Sequence, residues 1–254
     1  EIPWWDAARM PNGRTLVFGV GDSITAYDPA TKRSSLIARG YASNLVVSPK
    51  GDRIAYQRLD EGENAIHVWS APIDPSTGVS TGPAQRVSMA NGDNPSFSPD
   101  GKSIAFMSWG ADLSAATLDP LHRKLDLVVI PATGGAERVL ATYDQLFAPT
   151  WSADGRSLFV HLFGGQGKKE AFERISREGG SRQTESKFTH QGSSLGLIEG
   201  RIALYTPNGS GFEEGRFACE SASGTLGDVV LLPRMGVNSI HASRAIGITT
   251  TRTN

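Results

Sequence analysis

Hydrophobic residues fall along this chain in short runs, and each run ends at a turn signal. The runs at residues 44–47 and 53–56 are too short for helices and rich in β-branched and aromatic residues, which favours β-strands. They are apolar at nearly every position, a pattern typical of a sheet covered on both faces. Between them, Pro49 fixes φ at one corner and Gly51 accepts a positive φ, so the two runs are predicted to form a hairpin.

This hairpin pattern is repeated along the chain. Good copies span residues 10–18, 48–56, 98–106 and 152–160, and a weaker copy spans residues 193–205. Repeats of roughly 40 to 50 residues that hold several strands each are typical of propeller blades. We expect positive φ at the turn glycines of three copies, Gly51, Gly101 and Gly155.

A third and a fourth strand are predicted behind each hairpin. Residues 65–69 and 84–87 follow one copy, and residues 125–130 and 136–140 follow the next. Four antiparallel strands make one blade. The sequence therefore predicts an all-β fold, a six-bladed β-propeller with five complete four-stranded antiparallel blades and a partial sixth.

The partial sixth blade is predicted at residues 238–250, which fit a first and a second strand without the Pro-Asp-Gly turn. Three interpretations stay open. The last blade is short and leaves an open edge, which sheets normally avoid; or the chain is a fragment of a longer protein; or residues 2–5 help to close the ring. In each case residues 1–254 form a single propeller domain.

Residues 98–106 read Ser-Pro-Asp-Gly-Lys-Ser-Ile-Ala-Phe and follow Asn94-Pro95. This phrase resembles the PD40 repeat of TolB-like β-propellers, and the resemblance covers almost the whole chain. It implies a propeller that is six-bladed in the archetype. Such propellers occur in periplasmic TolB, in the domains that gate prolyl-oligopeptidase-type enzymes, and as sensor segments behind bacterial kinases and regulators.

Composition narrows the choice of partners. The formal net charge is −1, which argues against nucleic acid or an anionic membrane surface as the partner. No apolar run approaches the length of a membrane span, so membrane insertion is not expected. The lone Cys219 excludes an internal disulfide, and no cofactor is expected.

Two short motifs imitate hydrolase nucleophiles. Gly21-Asp22-Ser23 resembles the nucleophile block of GDSL-type hydrolases, but it falls between two predicted strands of blade one, where a hairpin turn explains it. Residues 192–196 match G-x-S-x-G by letter, with no helix behind them to form a nucleophile elbow. No catalytic residue is therefore assigned.

The histidines have no spacing typical of a metal site, so no metal ligand is assigned. His67 and His161 lie inside predicted strands, where a hydrogen-bonded packing role is expected. His190 and His241 lie at or near the starts of inner strands, as ligands or as polar lining of the channel.

Fold geometry predicts where a ligand binds. The inner strand of each blade begins at one face beside the central channel, so the connections between blades surround the channel mouth. Polar side chains there can hydrogen-bond a polar ligand or a peptide backbone, although Asn and Asp are also ordinary turn residues. The candidate ligand-binding residues are Asn44, Asp93, Asn94, Asp144, Gln145, His190, Gln191, Asn238 and His241.

These features give one functional hypothesis and two alternatives. The first is a non-enzymatic propeller that recognises a protein segment or a small polar ligand at the channel face, in the periplasm or outside the cell. One alternative is the gating propeller of a prolyl-oligopeptidase-type serine hydrolase that lacks its catalytic domain. The other is a metal-dependent propeller lyase or hydrolase that uses channel histidines.

Overall fold

A computed structural model describes residues 6–60, 62–63, 65–109, 124–144, 146–162, 171–184, 194–198, 201–207, 214–219 and 230–233. All regular structure in these residues is β, in five antiparallel sheets of four strands each. Neighbouring strands within a sheet follow one another in the chain. The prediction of four-stranded antiparallel propeller blades is confirmed.

Blade one consists of β1 (Asp6–Arg9), β2 (Leu16–Val20), β3 (Ser23–Asp28) and β4 (Arg33–Arg39). Blade two consists of β5 (Ala42–Val47), β6 (Arg53–Asp60), β7 (Ala65–Pro72) and β8 (Gln85–Arg86). Blade three consists of β9 (Asn91–Phe97), β10 (Ser103–Trp109), β11 (Leu125–Pro131) and β12 (Arg138–Tyr143).

Blade four consists of β13 (Phe147–Trp151), β14 (Ser157–Leu162), β15 (Ala171–Ser176) and β16 (Arg182–Thr184). Blade five consists of β17 (Ser194–Ile198), β18 (Arg201–Pro207), β19 (Glu214–Cys219) and β20 (Val230–Pro233). The residues predicted to form a sixth blade, 238–250, lie outside the described residues, as do residues 2–5.

The blades pack in order around the first strand of each sheet. β1 contacts β5, β5 contacts β9, β9 contacts β13, and β13 contacts β17. Alternate residues of a strand point to opposite sides of its sheet, and in β6 both sides are buried. Ile54 and Tyr56 belong to the core between blades one and two, whereas Ala55 belongs to the core between blades two and three. This two-sided burial explains why the strands are apolar at nearly every position.

The turn between the first and second strands has the predicted backbone in three blades. Gly51, Gly101 and Gly155 have φ values of 72°, 74° and 69°. These are left-handed values, in which a side chain is sterically unfavourable and glycine is not. The prediction of positive φ at these positions is confirmed.

A serine stabilises this turn through both its side-chain hydroxyl and its backbone carbonyl. In blade three, the Ser98 hydroxyl donates to Oδ1 of Asp100 (2.6 Å) and the Ser98 carbonyl accepts from the amide of Gly101 (2.8 Å). Ser152 donates to Asp154 over the same distance in blade four. The hydroxyl holds the pKa of Asp100 and of Asp154 below the ordinary value. The repeated sequence phrase therefore encodes one repeated turn.

Successive turns also pack against one another. A Cβ atom on Gly51 would lie 3.2 Å from Cδ of Pro11 in the turn of blade one, and a Cβ on Gly101 would lie 4.0 Å from Cδ of Pro49. Blade four repeats the arrangement with the turn of blade three. The turns of the first four blades therefore lie side by side on one face of the molecule.

Three predicted site residues lie in strands rather than in the connections between blades where the sequence places them. Asn44 lies within β5, and Asp93 and Asn94 lie within β9. Pairing with neighbouring strands extends each element beyond its apolar run. No helix among the described residues is long and apolar enough to span a membrane.

Candidate ligand-binding site at the channel face

The two ends of each blade carry different turns and connections. We call the end where each first strand begins the channel face, and the end that carries the Pro-x-Gly turns the turn face. The channel face also carries the hairpins between second and third strands and the connections between blades. Side chains near the starts of β5 and β9 therefore come together on it beside the propeller axis.

Asn44 and Asn94 lie in equivalent β-bulges of adjacent inner strands. Their φ values are 52° and 51°, in the left-handed region that asparagine tolerates better than other side chains. The register of β5 with β6 shifts between Ser43 and Val46, and that of β9 with β10 shifts at the matching point. Such bulges redirect side chains and are frequent beside functional sites.

The redirected Asn44 joins blade two to blade three. Its Nδ2 donates to Oδ1 of Asp93 over 2.6 Å and to Oε1 of Gln57 over 2.9 Å. The hydroxyl of Ser43 also donates to Oε1 of Gln57, at 3.2 Å. The backbone amide of Asn94 donates to Oδ1 of Asp93 at 2.5 Å. We call Ser43, Asn44, Gln57 and Asp93 the channel cluster.

Asp93 is the charged group of the channel cluster, and its side chain is half-buried. Burial raises the pKa of Asp93 above the ordinary value for aspartate, and the hydrogen bonds from Asn44 and Asn94 oppose the rise only in part. Both of these hydrogen bonds end on Oδ1. Among the described residues, no Lys, Arg or His forms an ion pair with this carboxylate.

In a second polar cluster on the channel face, both carboxylate oxygens of Asp60 accept hydrogen bonds from other members of the cluster. Oδ1 of Asp60 accepts from Nε and Nη2 of Arg58, at 2.9 Å and 2.7 Å, and Oδ2 accepts from Nε1 of Trp69 at 3.2 Å. Nδ1 of His67 lies 2.9 Å from the same Oδ2. The Arg58 guanidinium stacks on the Trp69 ring, 3.2 Å from its centroid. This cluster fixes the hairpin between β6 and β7 and leaves no carboxylate oxygen without a donor.

Asp144 has different surroundings from Asp93. It is exposed, and its carboxylate pairs with the ammonium group of Lys124. Lys124 precedes the third strand of blade three and Asp144 follows the fourth, so the ion pair spans β11 and β12, the two strands farthest from the inner strand β9. The structure brings Asn44, Asp93 and the backbone of Asn94 together, and it places Asp144 toward the outside of the blade.

The other predicted site residues, Gln145, His190, Gln191, Asn238 and His241, lie outside the described residues. His67 and His161 are buried in strands, as predicted for packing residues. Among the described residues, no group of three or more His, Cys, Asp or Glu side chains is arranged to hold a metal ion.

Gly21 has a φ of 56° in the turn between β2 and β3, which confirms the hairpin interpretation of Gly21-Asp22-Ser23.

Two members of the channel cluster, Ser43 and Gln57, are not among the predicted site residues. Ser43 directly precedes Asn44 in the chain, whereas Gln57 belongs to a different strand. It lies in β6, inside an apparently ordinary strand, and is paired with Ser43. The corresponding positions of β10 and β14, counted from the turn glycines, hold Met107 and His161. The sequence signal for Gln57 is that its residue type is not repeated in the other blades, since a residue needed only for the fold would recur in each blade.

Comparison with known proteins supports the fold. No protein-family model matches the sequence, and no curated protein sequence matches it. Among solved structures, TolB from Agrobacterium tumefaciens is 17% identical with a TM-score of 0.64, over 91% of this chain and 80% of that one. Oligogalacturonate lyase from Vibrio parahaemolyticus is 10% identical with a TM-score of 0.62, over 91% of this chain and 65% of that one.

Acylaminoacyl peptidase from Pyrococcus horikoshii is 16% identical with a TM-score of 0.62, over 89% of this chain and 39% of that one. The chain thus spans less than two thirds of the lyase and of the peptidase. At such identities the likeness shows the fold alone, because one fold hosts many functions. The sheets and the likeness together define the class of protein, a β-propeller with a TolB-like fold.

Proposed function

We propose that this chain is a binding propeller that recognises a protein segment or a small polar ligand at the channel face, around the channel cluster. Its place is the periplasm or the exterior of the cell, and it performs no chemistry of its own. We also propose that residues 1–254 form a single propeller domain.

The observation that carries the proposal is the environment of Asp93. A half-buried carboxylate is unfavourable unless its charge is compensated, and the described residues supply hydrogen bonds to one of its two oxygens only. Asp60, on the same face, receives donors on both oxygens. A structural carboxylate is expected to resemble Asp60, whereas a ligand-binding carboxylate is expected to keep an oxygen available.

A second candidate is the gating propeller of a prolyl-oligopeptidase-type hydrolase. It is compatible with the fold, which this chain shares with 39% of the Pyrococcus horikoshii acylaminoacyl peptidase. The coding sequence beyond residue 254 distinguishes the two candidates. A serine nucleophile elbow encoded downstream would support the gating role, and a coding sequence without one would support the binding propeller.

The binding function is tested by selection from a phage-displayed library of random peptides on the immobilised chain. The affinities of the selected peptides are then measured on Asn44→Gly and Gln57→Ala. Glycine accepts the left-handed backbone of residue 44, so Asn44→Gly removes the side-chain amide with little strain. We expect each variant to lose roughly tenfold or more in affinity.

The matched control is Lys50→Ala, an exposed position on the turn face. We expect the selected peptides to bind this variant as they bind the wild type. If they instead lost affinity on Lys50→Ala and kept it on Asn44→Gly and Gln57→Ala, the site would lie on the turn face and the proposed function would be wrong.

A further inference from the structure

Some acceptor oxygens of the channel cluster receive two hydrogen bonds, and at least one receives none from the described residues. Nδ2 of Asn44 has two protons, and it gives one to Asp93 and one to Gln57. Oε1 of Gln57 receives a second donor from Ser43. Within the described residues, Oδ2 of Asp93 accepts no hydrogen bond, and this oxygen is not fully buried.

Charge indicates which kind of ligand group this oxygen prefers. The carboxylates of Asp22, Asp28 and Asp60 each have an arginine partner, and two of these pairs have N–O distances of 2.7 Å. Asp93 has no such partner among the described residues, although it is half-buried, as Asp28 and Asp60 are. A ligand that brings a positive charge removes the electrostatic penalty that the folded protein otherwise carries at this position.

We propose that Oδ2 of Asp93 binds a basic side chain, the guanidinium of arginine or the ammonium of lysine, of the protein segment that the channel face recognises. This inference rests on the proposed function and names the chemistry of its ligand. Both groups carry only donors, as a free carboxylate oxygen requires. Asn44 and the amide of Asn94 hold the carboxylate in place by Oδ1.

A divalent metal ion fits the cluster less well. Calcium takes six to eight oxygen ligands, and magnesium takes a regular octahedron of oxygens. Oε1 of Gln57 is occupied by two donors, and Oδ1 of Asp93 is occupied by two more. A single available carboxylate oxygen suits one hydrogen-bond donor group better than a metal coordination shell.

The test uses the whole chain and three small probes: the Nα-acetyl methylamides of arginine, lysine and citrulline. Citrulline has nearly the shape of arginine without its charge. Binding is followed by NMR through the side-chain amide of Asn44 and the carboxyl carbon of Asp93. We expect saturable shifts with arginine or lysine, and roughly tenfold weaker binding or none with citrulline. Saturation with the charged probe also lowers the pKa of Asp93, because the cation favours the ionised form.

Two variants make the result specific. Asp93→Asn keeps an oxygen for Asn44 and removes the charge, so it abolishes binding of the charged probes. Asp22→Asn removes an exposed carboxylate from the same face and leaves binding unchanged. Equal binding of citrulline, binding that survives Asp93→Asn, loss with Asp22→Asn, or displacement of the probes by micromolar calcium alone would each overturn the inference. The peptide selection would still decide the proposed function, since it does not depend on the charge of the ligand.

Discussion

Asn94 allows the left-handed backbone of the bulge to be tested apart from the channel cluster, because only its backbone amide bonds to Asp93. We expect Asn94→Ala to lower the free energy of unfolding by about 1 kcal/mol, since alanine tolerates positive φ less well than asparagine. Asn94→Gly should be neutral or slightly stabilising. Urea unfolding of the two variants measures the difference. Equal stabilities would mean that the bulge relaxes to ordinary strand geometry.

Asp93 gives a prediction for pH dependence. Its folded pKa is raised above the ordinary value, so the folded state holds this proton more tightly than the unfolded state does. Stability is therefore lost as the pH rises from the ordinary aspartate value through the raised folded pKa, and the loss persists at neutral pH. The Asp93→Asn variant does not lose this stability, because it carries no titratable group at residue 93, and it keeps an acceptor for Asn44.

We expect Asp93→Asn to be more stable than the wild type near pH 7, and the advantage to shrink toward about pH 4, where the wild-type carboxyl becomes protonated. Urea unfolding at several pH values measures it. A residue that is kept at the expense of stability is typical of a functional site. A less stable variant at neutral pH would mean that Asp93 has a compensating partner in the folded chain.

At the scale of the element, the repeated turn gives a matched pair of substitutions. Gly51 and Gly101 have nearly the same φ, but a Cβ on Gly51 would also press on Pro11 at 3.2 Å. We expect Gly101→Ala to lower the free energy of unfolding by about 1 kcal/mol or more, and Gly51→Ala to lower it further. Thermal melts of both variants test this. An unchanged midpoint for Gly101→Ala would mean that the turn accommodates a side chain.

The same element shows what can be predicted from sequence. The turn is encoded locally, because proline and glycine each have one conformational role within a few residues, and the positive φ of its glycines was predicted correctly. The bulge at Asn44 was not predicted, because its left-handed backbone arises from the register between β5 and β6. The contact of Asn44 with Asp93 depends on the packing of two blades, so no local pattern contains it.

At the scale of the whole molecule, repetition separates the fold from the site. The turn glycines and the buried strand residues recur from blade to blade, as stacking requires. The position of Ser43 in blade two is taken by Asp93 in blade three and by Phe147 in blade four. The repeat thus specifies the propeller, while its departures at the channel face give that face an asymmetric set of polar groups.

Binding at the channel face is tested by NMR, from the backbone amide shifts of the chain when a library-selected peptide is added. We expect the largest shift changes at residues 42–44, 57–60 and 91–94, beside the channel cluster. We expect little change at the turn face, at residues 49–52, 99–102 and 153–156. If the largest changes fell at those turn residues and the channel cluster were unaffected, the ligand would bind at the turn face and the channel face would not be the binding site.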